Sequence, residues 1–122
     1  MAELTDAQRR RVEQYLSLET DDLVSLIPPF LPDYQHSMFS PEGQEAAGWK
    51  EFNKLKDTLT HVLCVQWGLC HRIKSDQFKD AIDLISAMAD VIAVHSGFVP
   101  PFLASTILFK MGVRQLCKCP ES

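Results

Sequence analysis

Strand signals are nearly absent from this 122-residue chain, and that scarcity removes sheet-based architectures before any motif is considered. A basic excess is missing too. With 12 Lys+Arg against 16 Asp+Glu the net charge is −4, which argues against electrostatic capture of nucleic acid. Four catalytic and ligand-binding signatures are lacking: the Gly-x-Ser-x-Gly elbow, a phosphate-binding glycine loop, His-Glu-x-x-His and a dinucleotide fingerprint. No repeat or low-complexity tract is present. The first twenty residues have no apolar run, because Glu3, Asp6, Arg9, Arg10, Arg11 and Glu13 stand where the core of a secretory signal would sit. The expectation that follows is a cytoplasmic protein whose four cysteines, Cys64, Cys70, Cys117 and Cys119, are reduced and packed as small hydrophobes.

What is present is apolar residue in quantity, 46% of the chain against 23% charged, enough for one folded helical domain and too much for disorder. The longest uncharged run, Val91 to Phe109, is nineteen residues, about the length of a membrane span. It fails as one. His95-Ser96-Gly97 and Pro100-Pro101 break its centre, where lipid offers nothing to the freed backbone groups.

Helix punctuation divides the chain as follows. Thr5-Asp6-Ala7-Gln8 has capping-box spacing and opens a helix over 6–18. A short helical turn after Thr20 is stopped by Pro28-Pro29, and 28–39 reads as an irregular crossover. Ser40-Pro41-Glu42 is an N-cap, a first-turn proline and a dipole-matched acid, opening a long helix over 41–73 that is weak at Gly43 and Gly48. From Trp49 to Ile73 that helix would measure about 37 Å at the α-helical rise, against roughly 27 Å for the diameter of a chain this size. It must therefore bend at Gly68, project, or be covered by a second subunit. Ser75-Asp76 predicts the start of a central helix over 76–95, ended by a left-handed Gly97, and Pro101 opens a last helix over 101–117. Lys110 and Arg114 mark its wet face, and the tail from Cys117 to Ser122 should fray. The fold class is all-α, a compact bundle of four or five helices with the last three forming the core.

The candidate site residues are of three kinds. Asp83 and Asp90 lie on an acidic stripe of an otherwise apolar helix, where Asp90 is either paired with a neighbouring donor such as Ser105, Thr106, a tryptophan N–H or Arg72 or faces a ligand. His61, Cys64, His71, Cys117 and Cys119 have ligand chemistry suited to zinc but lack knuckle spacing, so structural zinc is a minor alternative and no cofactor is expected. Cys117-Lys118-Cys119 as a redox pair has equally little support, since cysteines one residue apart form strained bridges with each other. Phe30, Tyr34, Met38, Phe39 and Trp49 crowd one irregular region with the residue types enriched in interface cores. The Arg9-Arg10-Arg11 run, beside Asp6 and Glu13, reads as a solvated helix face, and the helix starts near Ser40 and Ser75 as a weaker anion site. Together these predict a non-enzymatic protein–protein interaction module, an adaptor or a homodimer, with a ligand- or metal-binding bundle as the alternative, and with no nucleic-acid partner and no membrane span.

Overall fold

The computed structural model describes residues 4–32, 40–75 and 78–119, and these form helices without strands. In chain order they are α1 (Asp6–Leu16), α2 (Thr20–Val24), α3 (Pro41–His61), α4 (Leu69–Lys74), α5 (Ala81–Ile92) and α6 (Pro101–Leu116). None of the described helices is long and apolar enough to cross a membrane.

The starts of α1 and α3 follow from their caps. Thr5 Oγ1 accepts the Gln8 amide at 3.0 Å while Gln8 Oε1 accepts the Thr5 amide at 3.0 Å, so two orphan donors are satisfied reciprocally. Ser40 Oγ accepts the Gly43 amide at 3.1 Å. At the other end of α1 the carbonyls of Leu16 and Leu18 are bonded by the Lys110 ammonium, placing a cation at a helix C-terminus. Lys110 is thus half-buried between α1 and α6, and of the two residues expected to mark the wet face only Arg114 is exposed.

The helix expected over 41–73 is three pieces. α3 has 21 residues, about 31 Å at the helical rise. It then widens into a π-helical turn, Val62–Gln66, closed by the Trp67 amide on the Val62 carbonyl at 2.9 Å. Gly68 follows with φ 71, a left-handed residue that turns the chain into α4. Arg72 secures the corner, donating from Nε to the Trp67 carbonyl at 2.8 Å and lying 4.9 Å from the Trp67 ring centroid.

α5 begins later than its predicted start at Ser75-Asp76. Ser75 instead ends α4, its hydroxyl donating to the His71 carbonyl at 2.9 Å, and Asp76 lies outside the described residues. Asp80 wins as N-cap because it accepts the Asp83 amide at 2.8 Å while Asp83 returns an acceptor to the Lys79 amide at 3.2 Å. At its far end α5 tightens into a 3-10 turn, Ala93–His95, and Gly97 has the expected left-handed φ of 60.

The core lies where α5 and α6 pack side by side, with Met88 and Ile92 of α5 against Leu103, Ile107 and Leu108 of α6, all fully buried. Ser105 pins this seam: its buried hydroxyl donates to the Ile85 carbonyl at 2.7 Å. The core is wider than the last three helices, because Leu23, Val24 and Ile27 are also fully buried beneath Phe52 and Leu59 of α3. The α2–α3 seam is close. Gln44 Nε2 donates to the Ser25 carbonyl at 2.8 Å, Trp49 Nε1 donates to Asp21 at 2.9 Å, and Gly48 lies against the Val24 carbonyl with no space for a Cβ.

Candidate functional site

The four cysteines are not free thiols. Cys64 of the π-helical turn is bonded to Cys117, and Cys70 of α4 to Cys119, with Cα separations of 5.2 Å in both bridges. Local geometry at the end of α6 makes the double bridge feasible. Lys118 takes φ 53, its amide bonds the Gln115 carbonyl at 3.1 Å, and the Cys119 amide bonds the Arg114 carbonyl at 2.9 Å. This is a Schellman turn with lysine at the usual glycine position. It turns the chain so that two cysteines one residue apart each reach a partner on the α4 side, and the expected fraying of 117–119 is replaced by a double tether. The expectation of reduced, merely packed cysteines is corrected accordingly.

The same pairing consumes the thiolates that a metal would need. Cys64, Cys117 and Cys119 are engaged in sulfur–sulfur bonds, while His61 and His71 are exposed. Among the described residues no group of three or more His, Cys, Asp or Glu side chains is placed to hold a metal ion.

Neither acidic candidate is a buried polar group. Asp83 is the capping partner of Asp80, and Asp90 is exposed on α5. The donors proposed for Asp90 are engaged elsewhere: Ser105 with Ile85, Thr106 with the Phe102 carbonyl at 2.7 Å, Trp49 with Asp21 and Arg72 with Trp67. Of the aromatic cluster, Tyr34, Met38 and Phe39 lie outside the described residues. Phe30 is 46% exposed, and Trp49 is half-buried, edge-on to Phe52 with ring centroids 6.3 Å apart. The structure thus uses Trp49 to join α2 to α3.

Two surfaces were not legible in the sequence. The first is the turn between α5 and α6, where Val94 is 85% and Phe98 65% exposed although the residues around them are anchored. Ser96 is 1% exposed with its hydroxyl on the Ala93 carbonyl at 3.2 Å, and Val99 is 2% exposed with its amide on the Ser96 carbonyl at 3.1 Å. A fixed turn therefore presents two large apolar side chains to solvent, flanked by exposed Asp90 and His95. The signal the sequence offers there is the left-handed Gly97 with Val94 and Phe98 on either side of it, which marks a turn without saying what covers it. The second surface is an open groove of about 500 Å³ at the other end of the same helix pair, between Ile73, Leu84 and the last turns of α6.

A third feature is electrostatic. Glu45 of α3 is held above the ordinary carboxylate range by its half-buried setting first, then by the charges of Asp21 and Asp22, a hydrogen bond shared with Asp21, and the charge of Glu42. These acids gather where α2 meets the first turns of α3.

Compared with known proteins, the chain matches no family model, and neither a curated protein nor a solved structure is similar to it.

Proposed function

We propose that this chain is a non-enzymatic protein–protein interaction module that self-associates through the turn between α5 and α6. The supporting observation is the exposure of Val94 and Phe98 on a turn whose neighbours Ser96 and Val99 are buried. Holding two large apolar groups in water is unfavourable, and their fixed backbone means that contact with a partner costs little further ordering.

A second copy is the partner that this surface fits best. A two-fold contact places the same patch on both sides, so that each residue of one copy meets a complementary residue of the other. The 94–98 turn meets that requirement: the apolar pair Val94 and Phe98 is self-complementary, the turn itself carries an exposed imidazole, His95, and an exposed acid, Asp90, precedes it. In such a contact the Asp90 carboxylate of each copy accepts from the opposite imidazole N–H. The patch is small, so association is weak and readily reversible.

The two disulfides support residence in an oxidising compartment in place of the cytoplasmic expectation, because reducing thiol pools keep most cytosolic cysteines free. The experiment for the association is sedimentation velocity across a hundredfold range of concentration. Wild-type protein should show a sedimentation coefficient that rises with concentration, and Val94→Asp with Phe98→Asp should remove the rise without loss of helicity. A wild-type chain that stays monomeric throughout contradicts the reading.

A further inference from the structure

The groove at the far end of the α5–α6 pair has features that the association does not use. Its apolar lining comes from Ile73, Leu84, Phe109, Met111 and Val113, and its volume of about 500 Å³ is in the range of small-molecule sites. We infer that it binds a small amphiphilic anion, an aliphatic chain ending in a carboxylate.

Charge selects the head group. The chain as a whole is acidic, yet among the described residues the lining of this groove includes two cations, Lys110 and Arg114, and no acid. Lys110 is committed, since its ammonium bonds the carbonyls of Leu16 and Leu18. Arg114 is exposed at the groove and has no acidic partner among the described residues. A guanidinium beside an apolar floor matches a carboxylate on an alkyl chain: the planar fork takes the head group bidentately while the tail leaves water.

The groove wall is also pre-shaped. Val113, Arg114 and Gln115 lie between Gly112, whose φ of 95 breaks the helical path of α6, and Cys117, which is bonded to Cys64. A wall tethered by the Cys64–Cys117 bridge loses less freedom when a ligand seats against it.

The test is isothermal titration of the oxidised full chain with decanoate, below its micelle concentration, and with decanol, which has the same tail without the charge. Decanoate should saturate one site. Because Arg114 is exposed, Arg114→Gln leaves the fold intact, and it should weaken decanoate about tenfold while leaving decanol unchanged. NMR shifts caused by decanoate should cluster on Ile73, Leu84, Met111 and Val113. Absence of saturable binding, shifts centred elsewhere, or equal decanoate affinity in Arg114→Gln would each overturn the assignment.

Discussion

Cys64 and Cys117 are joined across 53 residues of chain, and the Cys70–Cys119 bridge lies alongside with a separation of 49. The two bridges enclose nearly the same loop, so their contributions are not independent. In the chain-entropy description, closing a loop of about fifty residues stabilises by about 4 kcal/mol, and adding the second bridge closes only a ring of roughly eight residues, worth about 2 kcal/mol. Removing either bridge by paired Cys→Ser substitution should therefore cost about 2 kcal/mol, and removing both about 6 kcal/mol. Urea unfolding of the two single-bridge variants and the bridge-free variant checks this. Equal, additive losses would show that each bridge acts through its local contacts.

Gly48→Ala tests the α2–α3 seam. Alanine is ordinarily the better helix former, so in an isolated helix the change would stabilise. Here the added Cβ meets the Val24 carbonyl and the Ser25 amide, backbone atoms that cannot rotate aside. The seam must open, and a loss of about 2–3 kcal/mol is expected in thermal or urea unfolding.

Lys118→Gly should act in the opposite direction. Lys118 occupies the left-handed C′ position of the turn after α6 with φ 53, where a side chain is strained and glycine is not. The strain relieved exceeds the extra backbone freedom glycine gives the unfolded chain, because the two flanking bridges already restrict that chain. A gain of about 0.5–1 kcal/mol is expected from chemical unfolding under oxidising conditions.

Glu45 sets a pH dependence. Its folded-state pKa is raised, by its half-buried setting and then by Asp21, Asp22 and Glu42, so the native state holds this proton more tightly than the unfolded chain does. The contribution is present below the ordinary glutamate range and is lost as pH rises through the raised value. Glu45→Gln should remove that decline, so wild type and variant should diverge as pH increases, with the variant the more stable. Unfolding free energies of both proteins measured from acid to neutral pH provide the comparison.

Helix starts were legible wherever a short-range rule governs them, as at Thr5 with Gln8, at Ser40 with Gly43, and in the left-handed Gly97. The start of α5 was not, because Ser75 and Asp80 both have capping chemistry and the reciprocal acceptor at Asp83 decides between them. The disulfides were hidden for a related reason. Cys64 and Cys70 cannot be placed on a common face by 3.6-residue periodicity when a π-helical turn and a left-handed Gly68 intervene, and each resets the phase. Gly48, read as a weak point of its helix, is a contact point instead, which only tertiary packing reveals. The break at Gly97 marks the turn in the sequence, but the exposure of Val94 and Phe98 depends on what packs against it, which no short-range rule contains.

The most direct test of the proposed association is isotope-filtered NMR on a mixture of carbon-13-labelled and unlabelled protein, which detects only contacts between copies. The account predicts intermolecular cross-peaks between the Val94 methyl groups of one copy and the Phe98 ring of the other. Cross-peaks confined to another surface, or none at concentrations where wild-type protein associates, would contradict it.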